Sequence, residues 1–320
     1  MRIPRPSQHT AVPDLGFGAA QLGNLWRATS DDSATAAVDA AWDAGIRHFD
    51  TAPHYGLGLS ERRLGRALAR YPRDEYVLST KVGRLLKPSP ENAGRRDDHG
   101  FDVPAAMRRV WDFSRDGIRR SIDDSIERLG LDRIDIAYLH DPDEHWDAAS
   151  TTGVGALAEL RDEGVVRAIG AGMNQSAMLA EFVRRYDIDA VMLAGRYTLL
   201  DRSAADDLLP VALERGVDVI AAGVYNSGLL SRARVASDAV YDYGPAPAEL
   251  IERATQLAAL CERYGVELPA AAIQFPLRHP AVTTVVVGCR TAEQVADAVA
   301  RRRQPIPDAL WHELEEGLAA

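Results

Sequence analysis

Short apolar segments alternate with longer amphipathic segments along most of this chain of 320 residues. Each apolar run has the length of a β-strand, and each amphipathic stretch has the apolar spacing of a helix that packs on one face. The predicted strands are Ile46–Asp50, Tyr76–Lys81, Ile134–His140, Val166–Gly170, Ala190–Ala194, Val217–Ala221, Ala271–Phe275 and Thr284–Gly288. The predicted helices include Asp31–Ala44, Leu59–Ala69, Arg115–Leu129, Gly155–Glu163, Ala204–Arg215 and Pro247–Tyr264.

This alternation predicts the α/β class, and repeated strand–helix units in a chain of this length indicate a (β/α)8 TIM barrel. We expect residues 1–320 to form a single barrel domain. An open, doubly wound sheet is the alternative on the pattern alone. Two long connections, Gly83–Trp111 and Tyr225–Pro247, follow predicted strands, so in a barrel they would be loops of the catalytic face.

Composition excludes several classes of partner. The chain has 47 acidic and 37 basic side chains, and the formal net charge of −10 leaves no basic face for nucleic acid. No run approaches the roughly 20 apolar residues that span a bilayer, so no membrane partner is predicted. Residues Met1–Thr10 contain no apolar segment typical of a secretory signal, which favours a cytoplasmic location. The oligomeric state is left open.

Polar residues end three of the predicted strands. Asp50, Lys81 and His140 each close an otherwise apolar run, and Tyr55 follows the first of them by five residues. Barrel strands present their catalytic groups from their C-terminal ends into one mouth, so these residues are expected to converge there. Asp50, Lys81 and His140 end the first three predicted strands of the chain. A polar residue at the end of three apolar strands in succession indicates a functional site rather than simple contact with water.

Lysine usage supports a special role for Lys81. Of the 37 basic side chains only Lys81 and Lys87 are lysines, and Lys87 lies in a predicted loop. A chain so rich in arginine is expected to keep a lysine where a compact ammonium is required and a guanidinium would not serve. The alternative interpretation of Lys81 is a residue of the barrel rim whose ammonium reaches solvent.

The four residues together would form a proton-transfer device. A tyrosine phenol has a pKa near 10, and a neighbouring ammonium would stabilise its phenolate and lower that pKa. Asp50 would balance the charge of Lys81, and His140 would hold the substrate oxygen near Tyr55 by a hydrogen bond. Such a device suits the interconversion of an alcohol and a carbonyl by hydride transfer.

At these positions the chain resembles the aldo-keto reductase superfamily. The segments that carry the resemblance are His48–Gly56, Ser60–Gly65, Ser79–Lys81 and Tyr138–His140, and the likeness extends from about Leu15 to about Val299. The resemblance implies a TIM barrel, a nicotinamide cofactor bound without a Rossmann domain, and a catalytic tetrad of Asp50, Tyr55, Lys81 and His140. A closer likeness to the bacterial D-threo-aldose 1-dehydrogenase group, which includes L-fucose dehydrogenases, is carried by Thr80–Leu86, Gly172–Gln175, Ala194–Leu200 and Tyr225–Gly228.

The same resemblance implies a set of cofactor-binding residues. They are Gly18, Asn174, Asn226, Ser227, Gly288, Arg290 and Gln294. The chain departs from the family where the nicotinamide is usually held, because Met173, Ala194 and Ala222 replace a serine, a glutamine and a stacking tyrosine. Gly288 and Gln294 also stand at the positions of the lysine and the arginine that bind the 2′-phosphate in NADP-preferring relatives. We therefore expect NAD to be preferred and NADP to remain possible, with Arg290 as a cation that could restore some NADP affinity.

The expected substrate is a small sugar or aldehyde. The resemblance favours oxidation of an L-fucose-like aldose at C1 to its lactone, and a pyridoxal 4-dehydrogenase or a general aldehyde reductase is the alternative. The candidate substrate-binding residues are His54, Trp26, Arg84, Trp111 and Tyr225. A function of a different class also stays open, since barrels of this kind occur as regulatory subunits that bind NADP(H) and turn over slowly.

Two other patterns are not interpreted as sites. The segment Leu15–Gly18 is rich in glycine but lacks a correctly spaced third glycine and a following long helix, so no Rossmann fold is predicted. The segment His140–His145 holds several potential ligands, but its two histidines do not have a zinc-binding spacing. Cys261 and Cys289 lie far from it. We predict no metal site and interpret the segment after His140 as an acidic, solvated loop.

Overall fold

A computed structural model describes residues 13–242 and 244–316. Its strands are β1 (Leu15–Gly18), β2 (His48–Asp50), β3 (Val77–Val82), β4 (Arg84–Pro88), β5 (Met107–Trp111), β6 (Ile136–His140), β7 (Ala168–Met173), β8 (Ala190–Ala194), β9 (Asp218–Ala222), β10 (Val240–Tyr241), β11 (Gly244–Pro245) and β12 (Val282–Gly288). Its α-helices are α1 (Asp31–Asp43), α2 (Leu59–Leu68), α3 (Arg115–Leu129), α4 (Trp146–Ala148), α5 (Val154–Asp162), α6 (Ser176–Arg185), α7 (Leu208–Arg215), α8 (Ala248–Arg263), α9 (Leu268–Gln274), α10 (Ala292–Arg303) and α11 (Asp308–Glu316).

Eight parallel strands form a closed barrel in the order β1-β12-β9-β8-β7-β6-β3-β2. Closure confirms the predicted TIM barrel and rules out the open sheet, because β1 pairs with both β2 and β12. The helices surround the strands, as apolar stripes such as Leu64 and Leu68 on α2 require. None of the helices in the described part of the chain has the length and apolar character needed to cross a bilayer.

One predicted strand was wrong, and one strand of the barrel was missed. Ala271–Phe275 is not a strand, because Ala271–Gln274 belongs to helix α9, which begins with Pro269 in its first turn. A short run that is apolar on every side does not reveal its period, so a buried helix and a buried strand look alike in sequence. The strand that completes the barrel is β1, a glycine-rich segment that was not predicted as a strand. Gly16 is needed there, since a Cβ would lie 2.9 Å from Cγ2 of Val286.

The two long connections lie on the catalytic face, as predicted, and each contains structure of its own. The first follows β3 and folds into an antiparallel hairpin of β4 and β5. Its far end reaches the segment after β1, where Leu25 forms a bridge with Phe101. The second follows β9 and contains the short pair β10 and β11. The hairpin therefore forms one side of the opening above the barrel.

Candidate active site

Four candidate catalytic side chains converge at the C-terminal end of the barrel. Asp50 and His140 are the last residues of β2 and β6, and Lys81 is the penultimate residue of β3. Tyr55 lies in the loop after β2. All four line one cavity of about 620 Å³, and we call them its floor. They come from the second, third and fourth barrel strands rather than the first three, because β1 precedes them.

The Lys81 ammonium is held in the centre of the floor, with only 3% of its side chain exposed. Its Nζ donates to Oδ2 of Asp50 at 2.7 Å and to the carbonyl oxygen of Thr51 at 2.9 Å. Ser79 Oγ donates to the other Asp50 oxygen at 2.7 Å. Burial alone would lower the pKa of Lys81, but the charges and hydrogen bonds of Asp50 and Tyr55 outweigh burial and raise that pKa. Lys81 is therefore a permanent cation at neutral and mildly alkaline pH.

Tyr55 is fixed beside this ammonium although it lies in a loop. Lys81 Nζ is 4.8 Å from the centre of the Tyr55 ring. The loop packs directly on Gly23, where a Cβ would come within 2.6 Å of the Tyr55 carbonyl carbon. Gly56 follows with a φ of +62°, a conformation that favours glycine. These two glycines let the backbones approach closely and so set the position of the phenol within the floor.

His140 completes the floor as a neutral imidazole. Its ring centre lies 5.9 Å from that of Tyr55, and the two rings are nearly perpendicular. Burial lowers the pKa of His140 well below its ordinary value, and the charges of Arg84 and Lys81 lower it further. Among the described residues its Nδ1 has no hydrogen-bond partner, while Nε2 lies 3.5 Å from Oδ2 of Asp141. A neutral ring can donate one hydrogen bond to a substrate oxygen without adding charge.

Above the floor, a second group of side chains lines the mouth of the cavity. We call it the outer wall, and its members are Trp26, His54, Arg84, Phe101 and Asp141. Arg84 Nη2 donates to Oδ2 of Asp141 at 2.5 Å, and Arg84 Nη1 lies 3.3 Å from Nδ1 of His54. Burial lowers the pKa of His54, and the neighbouring guanidinium groups lower it further. His54 is therefore neutral as well.

Asp141 corrects the interpretation of His140–His145 as a solvated loop. It lines the cavity, its side chain is paired with Arg84, and its backbone has a φ of +39°. Burial raises the pKa of Asp141, and the charge of Arg84 opposes that rise. The available signal was its place directly after a strand end that carries His140. The acidic residues that follow it in the sequence obscure this position.

Several other cavity residues were also missed. His99, Gly100 and Phe101 reach the mouth from the hairpin connection, and Gln21 lines the opposite side. Arg109 does not line the cavity but supports it. Its Nη2 donates to the carbonyl oxygen of His54 at 2.9 Å, and its guanidinium pairs with Asp97 at 2.6 Å. No periodic pattern marks these residues, because they meet only through the fold of a long connection.

Two of the candidate substrate-binding aromatics do not line this cavity, whereas Trp26 does, with 60% of its surface exposed. The Trp111 ring lies behind the wall, with the Arg84 guanidinium 4.4 Å from its centre. Tyr225 packs against apolar core residues instead, and burial raises its pKa to about 12. Trp111 and Tyr225 both lie in connections that follow barrel strands. The hairpin directs the Trp111 ring away from the cavity, and the turn after β9 does the same for the Tyr225 ring.

The opposite side of the cavity fits a nicotinamide cofactor. Three of the candidate cofactor-binding residues, Gly18, Asn174 and Gly288, line it. Small residues at or next to the strand ends leave a cleft beside the floor, and they are Gly172, Ala194, Ala222 and Gly223. Gln21 Oε1 is buried without a hydrogen-bond partner among the described residues, and a Cβ on Gly288 would lie 2.5 Å from that side chain. A planar ring carrying an amide suits such a cleft, with Asn174 and Gln21 as polar partners.

The remaining candidate cofactor residues do not line the cavity. Asn226 is buried and donates to the carbonyl oxygen of Gly195 at 3.2 Å, whereas Ser227 is exposed with a φ of +58°. Gln294 accepts a hydrogen bond of 2.7 Å from the backbone N–H of Arg290. Because they do not line the cavity, a contact between these residues and a dinucleotide would involve parts of the cofactor outside it.

Arg290 is held away from the solvent. Its guanidinium donates to the carbonyl oxygens of Leu25 at 2.6 Å and Arg27 at 2.8 Å, and to the Thr29 hydroxyl. These contacts tie the last barrel strand to the segment that carries Trp26. Within residues 13–242 and 244–316, no group of three or more His, Cys, Asp or Glu side chains is arranged to hold a metal ion.

Comparison with known proteins agrees with this geometry. The pattern that defines the Aldo/keto reductase family matches residues 14–318. The chain is 52% identical to a D-threo-aldose 1-dehydrogenase from a Pseudomonas species, over 96% of this chain and 94% of that protein. It is 42% identical to a pyridoxal 4-dehydrogenase from Microbacterium luteolum, again over 96% and 94% of the two chains.

Solved structures show the same fold. A glycerol dehydrogenase from Gluconobacter oxydans superposes with a TM-score of 0.79 at 24% identity, over 100% of this chain and 94% of that one. An aldo-keto reductase from Bacillus halodurans, in its holo form, superposes with a TM-score of 0.73 at 27% identity, over 99% and 95%. With the family pattern covering nearly the whole barrel, this chain belongs to the aldo/keto reductase family and is an oxidoreductase that uses a nicotinamide cofactor.

Proposed function

We propose that this enzyme oxidises the C1 hydroxyl of a free aldose, L-fucose or a stereochemically related sugar, to the lactone. The observation that carries the chemistry is the Lys81 ammonium, buried between Asp50 and Tyr55 at the cavity floor. The 52% identity to a D-threo-aldose 1-dehydrogenase supports the choice of substrate. We further propose that it acts in the cytoplasm.

Tyr55 serves as the base in this proposal. The ammonium of Lys81 stabilises the phenolate, so Tyr55 can take the proton of the C1 hydroxyl as the carbonyl forms. Asp50 holds Lys81 in place and offsets its charge. His140, kept neutral by burial, donates a hydrogen bond that holds the substrate oxygen beside the phenol. A bound nicotinamide supplies the acceptor for the C1 hydride.

NAD is the proposed cofactor, with NADP as a poorer one. In the proposed alignment Gly288 and Gln294 stand where relatives place two cations that bind the 2′-phosphate. Arg290 is poorly placed to restore NADP affinity. Its guanidinium already donates hydrogen bonds to three oxygen atoms of the segment 25–29. Breaking those bonds to reach a phosphate would cost about as much as a new charge-assisted pair contributes.

A substrate panel tests the proposal. Aldoses and pyridoxal are each assayed with NAD+ and with NADP+ by the absorbance of the reduced cofactor, and the lactone is identified by chromatography. We expect L-fucose to give lactone and NADH in equal amounts. Failure with every aldose together with brisk oxidation of pyridoxal would replace the sugar by the second candidate, which the 42% identical relative favours. Tight NADP(H) binding with negligible turnover on the whole panel would indicate a regulatory subunit.

A further inference from the structure

The charged groups that line the cavity leave no cation available for an anionic substrate. Two described lining residues are cationic, Lys81 and Arg84, and three are carboxylates, Asp50, Asp98 and Asp141. Two positive charges against three negative ones give a formal charge of −1. Burial lowers the pKa of each lining histidine, so none of them supplies a compensating charge near neutral pH. A phosphate or carboxylate would therefore enter a cavity that is already anionic.

Each cation is also engaged by a carboxylate. Lys81 is 2.7 Å from Asp50, and Arg84 is 2.5 Å from Asp141. The Arg84 side chain is only 11% exposed and lies against the Trp111 ring, so it has little freedom to turn toward another partner. Separating Arg84 from Asp141 would leave the largely buried guanidinium without its carboxylate partner, which is unfavourable.

We propose that the Arg84–Asp141 pair determines substrate specificity, selecting an uncharged polyhydroxylated substrate and rejecting its phosphorylated or carboxylated analogue. This inference rests on the proposed function, since it concerns the same cavity. The pair presents N–H donors and a carboxylate acceptor side by side, and a sugar hydroxyl both donates and accepts. Asp141 Oδ2 lies 3.5 Å from Nε2 of His140, so the pair adjoins the position at which the reacting oxygen would sit. The Arg84–Asp141 pair would therefore form hydrogen bonds with the sugar hydroxyls near C1.

Matched substrates test the selection by charge. L-Galactose is compared with L-galactose 6-phosphate, because the ring closes through the C5 hydroxyl and the phosphate leaves the pyranose intact. L-Glucose is likewise compared with L-glucose 6-phosphate, in which the phosphate again leaves the pyranose intact. We expect kcat/KM for the neutral member to exceed that for the phosphorylated member by about tenfold or more, the worth of one charge-assisted hydrogen bond. Equal or better use of the phosphorylated members would overturn the proposal.

A variant series assigns the selection to the pair. Asp141→Asn frees the Arg84 charge, so the neutral-to-phosphorylated ratio should fall by about tenfold. Asp98→Asn removes the same charge from the cavity but leaves Arg84 paired, so its ratio should fall much less. Arg84→Gln combined with Asp141→Asn removes the freed cation and should restore the preference. Equal falls for Asp141→Asn and Asp98→Asn would show that only net charge matters and would overturn the role of the pair.

Binding measurements keep this test independent of turnover. Calorimetric titration of each neutral and phosphorylated member into the protein saturated with NADH compares affinities even where no product forms. If no aldose is oxidised but the neutral member of each pair still binds more tightly, the proposed function fails and the charge selection stands. If the phosphorylated members bind as tightly as the neutral ones, the charge selection fails. Cofactor binding by each variant, followed by protein fluorescence, shows that it is folded.

Discussion

The floor and the outer wall of the cavity are built in different ways. Asp50, Lys81 and His140 of the floor stand at the ends of barrel strands, whose positions are set by backbone pairing. The wall is assembled from the connections between barrel strands, including the β4–β5 hairpin, and its Arg84–Asp141 pair joins residues that are 57 positions apart in the chain. Strands hold reacting groups rigidly, whereas loops can change without disturbing the barrel. The difference suggests that the floor sets the reaction and the wall sets the substrate.

The largest expected effect concerns the floor. Tyr55→Phe should lower kcat by about 10²-fold or more, since it removes the proton acceptor but little volume. NADH binding, followed by quenching of protein fluorescence, should be nearly unchanged. Near-full activity of this variant would remove Tyr55 from the mechanism.

Loss of the ammonium should be nearly as severe. Lys81→Met should lower kcat by about 10²-fold, because the phenolate is no longer stabilised. The chain provides a matched control in Lys87→Met, its only other lysine, which lies on strand β4 outside the cavity. Because Asp50 would be left as an unpaired buried charge, the double variant Asp50→Asn/Lys81→Met separates instability from lost catalysis. A double variant with wild-type melting temperature and high activity would contradict the role of Lys81.

The pH profile distinguishes the members of the floor. With NAD+ and aldose, log kcat should rise toward alkaline pH, with a midpoint below the pKa of about 10 of free tyrosine. The pKa of His140 is lowered, so His140 is already neutral at pH 6 and adds no inflection near 6.5. The pKa of Lys81 is raised, so its charge is not lost on the alkaline side. A flat profile between pH 6 and 10, without a change in the rate of cofactor release, would count against a tyrosine base.

Substitution of Gln294 should change the preference between NAD+ and NADP+ by a smaller factor than the floor variants change kcat. Gln294→Arg should raise kcat/KM for NADP+ by about tenfold, the worth of one charge-assisted pair with the 2′-phosphate. The value for NAD+ should change little, since NAD+ has a hydroxyl at that position. Gln294→Met, which removes the polar group without adding a charge, is the control. A higher kcat/KM for NADP+ than for NAD+ in the unaltered enzyme would refute the proposed preference.

The smallest expected effects are on KM for the aldose, and they distinguish Trp26 of the outer wall from Trp111, which lies behind it. Trp26→Ala should raise KM for the aldose by roughly fivefold, since an aromatic face at the cavity mouth is lost. Trp111→Ala should change KM by no more than about threefold, because it removes contacts outside the cavity, namely the cation–π contact that supports Arg84 and the ring packing against Phe113 and His145. A larger effect for Trp111 than for Trp26 would place the substrate on the other side of the hairpin.

The barrel and the floor could both be predicted from local signals. Apolar runs that end in Asp50, Lys81 and His140 indicate strands, and parallel strands deliver their last residues to one mouth. Strand β1 is missed and part of helix α9 is mistaken for a strand, because glycine-rich and wholly apolar segments carry no usable period. The assignment of residues 1–320 to a single domain, and the roles of the site residues, remain predictions.

The sequence alone determined which groups could do the chemistry, because strand ends are encoded by neighbouring residues. Only the tertiary structure decided the rest. It paired Arg84 with Asp141, used the Arg290 guanidinium on the segment that carries Trp26, and placed Trp111 behind the wall. Contacts of this kind join loops that are distant in the chain. They follow from how the connections fold over the barrel, which no local pattern of residues specifies.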